Sequence, residues 1–274
     1  MVKVAGIQMA SGPQVTANLI EAERLLTKAA QAGARIAVLP EHFACMGMKD
    51  QDKLAIAETP GQGLIQDQLA RTAQRERLWI VAGTIPLRIA DDLKVAPACL
   101  VFDDQGRQVS RFDKMHLFDV RLPASEESYC ESATQQAGER VVVVDTPAGR
   151  MGLAVCYDLR FPELFRAMVD AGAEWFALPA AFTYRTGQAH WDLLLRARAV
   201  ENLMYGVAAA QGGYHVNGRE TFGHSLLVDP WGTIIDVLPR GSGFVLGEID
   251  VRRVLDLRTS FPALSHRRFG VTLS

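Results

Sequence analysis

Apolar runs that open onto polar, glycine-bearing turns recur along this chain, and they recur in the same order twice. Residues 32–43 read AGARIAVLPEHF and residues 171–182 read AGAEWFALPAAF. Each stretch follows a helix-like segment, continues through an apolar run suited to a strand buried on both faces, and ends in Leu-Pro-x-x-Phe. In the first preceding segment Leu19, Ala22, Leu26 and Ala29 fall on one face at helical spacing, and Gly33 stands where a left-handed C-terminal cap belongs. In the second, Pro162 suits a first helical turn and Gly172 the same kind of stop.

The echo returns later in each half. LVFDDQG at 100–106 matches LLVDPWG at 226–232, a strand running into an Asp-x-x-Gly turn. Strand signals also open each half, KVAGIQM near the start and RMGLAVCYD from Arg150. This alternation predicts a layered α/β fold with mixed strand directions: two sheets, one from each half, packed together and covered by helices. Chance recurrence of short apolar motifs is the bland alternative, and two matches in the same order count against it. No low-complexity linker divides the halves, so a single domain over 1–274 is expected. The stretch from Pro123 to Gly138, rich in Ser, Glu, Gln and Ala, reads as a loop long enough to be functional.

Composition narrows the function. The 274 residues are 49% hydrophobic and 22% charged, enough for a sizeable core. A formal net charge of -2, with no run of Lys or Arg, lacks the electrostatic footprint of a nucleic-acid or membrane-surface binder, so a small-molecule partner is expected. The start, MVKVAGIQMA, has no basic n-region, and no stretch approaches the ~18 apolar residues of a membrane span. Cysteines 45, 99, 130 and 156 lack C-x-x-C spacing, which suggests no metal site and fits free thiols in a reducing cytoplasm.

Three polar residues stand where strands end. Cys156 follows the apolar run GLAV and precedes YDLRFPELFR, a place where a turn can aim backbone N–H groups at developing negative charge. A lone thiol there is either a small core hydrophobe or a nucleophile. Glu41 directly follows RIAVLP, while the equivalent position of the second half is Ala180, so the fold itself needs no acid there. Near a thiol such a carboxylate could accept its proton, partial burial raising its pKa toward that of a working base; otherwise it is a solvated charge. Lys114, in RFDKMHLFD, either holds an oxyanion or snorkels at the surface beside Asp113.

Taken together, PEHF at 40–43, DKMHLFD at 113–119 and CYDLRFPE at 156–163 resemble the three signature regions of the nitrilase superfamily of carbon-nitrogen hydrolases, in that family's order. The likeness runs on through PAAFTYRTGQAHWDLLLRARAVEN, from Pro179, and GHSLLVDPWGT, from Gly223. It implies a four-layer αββα sandwich of two mixed sheets with a pseudo-twofold duplication, a Glu41-Lys114-Cys156 triad, no cofactor, and a homodimer or larger assembly. A second glutamate of the family, placed after the lysine, falls on Glu131, with Glu126 and Glu127 as competitors. The expected chemistry is attack of Cys156 on a linear amide, with Lys114 and the backbone N–H of Tyr157 holding the oxyanion.

Finer likeness, in HLFDVRLPASEESYCESAT, AFTYRTGQAHW and VAAAQGGYH, points to the deaminated-glutathione amidase and omega-amidase branch. The first group splits the amide between 2-oxoglutarate and cysteinylglycine; the second releases ammonia from 2-oxoglutaramate. Both substrates carry an anionic 2-oxo acid end, for which Arg160 and Arg185 are the cationic candidates, with Phe182 and Thr183 beside them. Pro97 departs from the family, many members of which carry Asn at about that place; the change is expected to lie away from the triad and to bear on the substrate branch, not on the reaction class. Other enzyme classes fail on motifs: GHSLL around Ser225 is no nucleophile elbow, no H-E-x-x-H occurs, and neither GQG nor GSG completes a nucleotide fingerprint. An inactive scaffold on the same fold is the remaining alternative.

Overall fold

The computed structural model describes residues 1–90, 93–121 and 127–270. Among these residues two large sheets lie face to face. In the first, the parallel strands Val2–Gln8, Ile36–Val38 and Trp79–Val81 are continued by Val95–Phe102, which pairs antiparallel with both Ile85–Arg88 and Gln108–Asp113. In the second, Gly149–Leu153, Trp175–Ala180 and Tyr205–Ala210 are parallel, and Ser225–Val228 and Ile234–Leu238 extend them antiparallel.

The alternation of side chains across each strand explains why these runs are apolar on both faces. In the opening strand Ala5 and Ile7 pack outward with Leu19, Leu25 and Leu26 of the helix Val15–Gln31, whereas Val4 joins the core shared with the second sheet. Helices Val15–Gln31 and Leu64–Glu76 cover the first sheet; Pro162–Asp170 and Tyr184–Asn202 cover the second. The sheets approach closely where Gly6 faces Ala208, since a Cβ on Gly6 would sit 3.0 Å from the Ala208 carbonyl oxygen. Four layers result, helix, sheet, sheet, helix.

The duplication extends to individual hydrogen bonds. Asp103 Oδ1 accepts the N–H groups of Gln105 and Arg107, and Asp229 Oδ1 those of Trp231 and Thr233, all at 2.9 Å. The glycines that close the two turns, Gly106 and Gly232, have φ of 76° and 82°. A side chain there would be strained, so the Asp-x-x-Gly spacing has a local physical cause.

The halves do not contribute one sheet each. The strand Gly243–Ile249 crosses over to pair antiparallel with Val2–Gln8 along its whole length, Val2 opposite Ile249 and Gln8 opposite Gly243. It fills on the first sheet the place that Val143–Thr146 fills beside Gly149–Leu153 on the second. The chain ends of the sandwich are thus tied together through the first sheet. Within the expected loop from Pro123 to Gly138, Ser128–Cys130 pairs with Asp119–Arg121 in a two-stranded ribbon that leads into a short 3₁₀ turn, Glu131–Ala133. Pro123 to Glu126 lie outside the described residues. Among the described residues no helix is long and apolar enough to cross a membrane.

Candidate active site

The parallel strands of both sheets end at one edge of the sandwich, where open α/β sheets offer a crevice. Glu41 follows Ile36–Val38 in the first sheet, and Cys156 follows Gly149–Leu153 in the second. Lys114 follows Gln108–Asp113, and its backbone N–H donates to the Pro97 carbonyl at 3.1 Å. Pro97 therefore touches the backbone of a candidate catalytic residue, which corrects its expected remoteness: the sheet pairing Ala98 with Asp113 closes the distance the chain leaves open.

Lys114 is fully buried, and its ammonium bonds Glu41 Oε1 at 2.8 Å and Glu131 Oε2 at 2.7 Å. Glu131 Oε2 also accepts the Phe118 N–H at 2.9 Å, so this carboxylate orients the lysine and closes the turn after it. Burial alone would lower the Lys114 pKa, but the negative charges of Glu131 and Glu41 outweigh it and hold the group well above the ordinary lysine range. For Glu131, burial is opposed by Lys114 and Lys53, and its carboxyl stays below the usual range. Glu41, His42 and Glu131 bring ligand atoms within 4.8 Å of one another, yet the cation between the two carboxylates is the protein's own ammonium.

Cys156 sits on a sharp turn with φ of 49°, an unusual conformation for a residue with a side chain. Cys156 lines the same cleft as Glu41 and Ala181. Burial, then the charge of Glu41, pushes the thiol well above its ordinary pKa against the pull of Lys114. The resting sulfur is thus protonated beside an acceptor for its proton. Tyr157 is the second residue of the 3₁₀ turn Cys156–Arg160, a position whose N–H has no partner within such a turn and can face an oxyanion.

Neighbouring residues hold these groups in place. The carbonyl of Glu41 accepts Gln211 Nε2 at 3.0 Å, and Gln211 also bonds Ser11, joining both halves behind the carboxylate. Asp158 is fully buried; its Oδ2 accepts the Val155 N–H at 2.8 Å, and its Oδ1 accepts the His116 N–H at 2.9 Å. One carboxylate therefore links the segment of the lysine to the segment of the thiol.

The cleft over the thiol encloses about 320 Å³ and is lined by Glu41, Glu131, Cys156 and Tyr157, with Arg160, Phe182, Thr183 and Thr186 on its wall. Arg160 lies over the rings of Phe182 and Tyr157, at 5.2 and 5.9 Å, and its Nη1 is 3.2 Å from His190 Nδ1. Arg185 is exposed in the first turn of Tyr184–Asn202 and does not line the cleft. The structure thus brings Glu41, Lys114, Glu131, Cys156, Tyr157, Arg160, Phe182 and Thr183 to one place and leaves Arg185 outside it. Glu127 is not among the residues lining the cleft, and Glu126 lies outside the described residues. His42, Phe118, Thr186 and Arg219 also line it and were not singled out from the sequence. Thr186 was legible, because helical spacing puts it on the same side as Thr183, whose hydroxyl caps its N–H. Arg219 carries no such signal.

Known proteins share the plan of this chain. A family model described as carbon-nitrogen hydrolase matches residues 3–259. A protein of Yersinia enterocolitica named deaminated glutathione amidase is 40% identical over 98% of this chain and 94% of its own length. The crystal structure of Saccharomyces cerevisiae Nit3, described as a member of branch 10 of the nitrilase superfamily, superposes with a TM-score of 0.86 at 29% identity, over 98% of this chain and 97% of that one. The Caenorhabditis elegans NitFhit structure gives a TM-score of 0.91 at 34% identity, over 97% of this chain and 65% of that longer one.

Proposed function

The chain belongs to the carbon-nitrogen hydrolase family, and we propose for this amidase a thioester route on Cys156 that splits deaminated glutathione into 2-oxoglutarate and cysteinylglycine. Glu41 takes the Sγ proton as sulfur attacks the amide carbonyl. The oxyanion is held by Lys114 Nζ and the Tyr157 N–H. As the C–N bond breaks, Glu41 returns the proton to the leaving nitrogen, and a thioester remains on Cys156. Water, losing a proton to the same Glu41, then attacks the thioester; the acid departs and the thiol is restored.

The observation that carries this reading is the Glu41 carboxylate, lining one cleft with Cys156 and bonded at 2.8 Å to a buried ammonium that Glu131 fixes from the other side. Arg160 supports the choice of acyl group. Among the described residues no carboxylate pairs with it, and its guanidinium lies on the cleft wall between two aromatic rings, a suitable seat for the anionic end of a 2-oxo acid. A homodimer or larger assembly belongs to the same reading and is tested by light scattering of the purified protein.

The deciding experiment is a parallel assay on deaminated glutathione and 2-oxoglutaramate, with Cys156→Ala as control. Hydrolysis of the first with higher kcat/KM, lost in the variant, supports the proposal. A tenfold preference for 2-oxoglutaramate makes the protein an omega-amidase, and full activity of Cys156→Ala removes the thioester route.

A further inference from the structure

A second cleft, of about 640 Å³ with the solvent at its mouth, opens from the first. The two share His42 and Arg219, whereas Arg160, Phe182 and Thr183 line only the first. His42 is the chain neighbour of Glu41, the residue that returns a proton to the leaving nitrogen in the thioester route. The second cleft therefore begins on the amine side of the scissile bond, and the seat suited to the acyl group lies in the other.

Its walls are cationic. Among the described residues Lys49, Lys53 and Arg219 line it against a single carboxylate, Asp50, and the Lys53 ammonium is only loosely placed on Asp50, at 3.7 Å. Arg219 stands at the junction. Among the described residues no carboxylate pairs with its guanidinium; it lies 5.0 Å over the Tyr129 ring, and Nη1 reaches the Met46 sulfur at 3.8 Å, a weak acceptor. Its Nε is buried without a partner. Among the described residues this half-buried guanidinium has the Tyr129 side chain and a thioether beside it and no partner at Nε, so it is under-satisfied, and a carboxylate entering the cleft would satisfy it in the fork geometry arginine favours. Lys53 is itself 12% exposed and acts on Glu131 and His42, so its charge is felt inside the site.

We propose that this second cleft is the leaving-group subsite: it binds an amine that ends in a carboxylate, an amino acid or short peptide, with Arg219 as the anchor and Lys53 as the supporting charge. This rests on the thioester reading above and adds to it. It makes the site selective for substituted amides over primary amides, because a substrate that releases ammonia has nothing to place there.

The test uses two amides with one acyl group, deaminated glutathione and 2-oxoglutaramate, and reads the ratio of their kcat/KM values in wild type, Arg219→Met, Arg219→Lys and Lys53→Met. The expected result is a fall in the ratio of about 30-fold for Arg219→Met, mainly through KM on the peptide substrate, as for a lost charged hydrogen bond. Arg219→Lys recovers part of it, and Lys53→Met gives a smaller fall. Cysteinylglycine, tested as an inhibitor of 2-oxoglutaramate hydrolysis, weakens in parallel. Ratios within threefold of wild type in both Arg219→Met and Lys53→Met overturn the subsite while leaving the thioester route standing; should Arg219→Met fail to fold, Lys53→Met and Arg219→Lys decide. A wild type inactive on both amides overturns the reaction itself, and the subsite with it.

Discussion

Asp158 and His116 meet at 2.7 Å, Oδ1 to Nδ1, and the His116 ring is stacked on Phe161 at 3.6 Å between centroids. Through this pair the two segments bearing Lys114 and Cys156 become one rigid unit, because the other oxygen of Asp158 holds the Val155 N–H next to the nucleophile. Asp158→Asn keeps the shape and removes one acceptor, leaving an amide NH₂ to face a backbone or imidazole donor. The expected outcome is a loss of about 2–3 kcal/mol in stability and a kcat lowered by roughly 10²-fold with the thiol still present. Urea unfolding and steady-state kinetics check both; a variant with normal kcat would separate this clamp from catalysis.

Glu41→Gln should stop the reaction before acylation. The amide oxygen of glutamine can still accept from Lys114, so the geometry at 2.8 Å is preserved, but the side chain cannot take a proton from thiol or water. Turnover is expected to fall by about 10²–10⁴-fold. Mass spectrometry of the quenched variant should show free enzyme with no acyl group on Cys156; an accumulated acyl adduct, or turnover near wild type, would point to another base for acylation.

Alkaline pH should destabilise the fold. Burial raises the thiols of Cys45, Cys99 and Cys156 above their ordinary value, and Lys114 is held above its own. A group whose folded pKa is raised contributes stability that is complete below its unfolded pKa and is lost as pH climbs toward the folded one. The loss therefore begins near the unfolded thiol value of about 8.5, at about 1.4 kcal/mol per pH unit for each such thiol. Scanning calorimetry between pH 7 and 10 should show a falling Tm, with a shallower fall in Cys156→Ala. A Tm that is flat over this range would contradict the burial of these thiols.

The parts of this molecule that were legible in the sequence are those with a local cause. The Asp-x-x-Gly turns at Asp103 and Asp229, the helix stops at Gly33 and Gly172, and the strand ends bearing Glu41 and Cys156 are each dictated by a few neighbouring residues. The place of Gly243–Ile249 has no local signature, since its partner lies at the opposite end of the chain and only the topology brings them together. Arg219 was illegible for a similar reason. It sits in the polar strand connection between Gly212–Tyr214 and Glu220–Phe222, and its position between two clefts depends on the first-half segment around Met46. Arg185 looked equivalent to Arg160 as a cation near the motif, but one helical step from Thr186 turns it to the exposed side.

The setting of Glu41 rests on a glycine that no chemistry singled out. Gly83 has φ of 49°, and a Cβ there would lie 2.1 Å from the Pro40 carbonyl oxygen and 2.9 Å from the Phe43 ring, backbone and core atoms on either side of Glu41. Gly83→Ala therefore combines left-handed strain with a clash that only a shift of the 40–43 turn can relieve. Gly61, with φ of 80° and open space around its missing Cβ, isolates the strain alone. Gly61→Ala should cost about 1–2 kcal/mol and leave kcat unchanged. Gly83→Ala should cost more, about 3 kcal/mol, and also lower kcat by tenfold or more because the carboxylate moves with its turn. Equal effects of the two variants on kcat would mean that the turn carrying Glu41 yields without displacing its carboxylate.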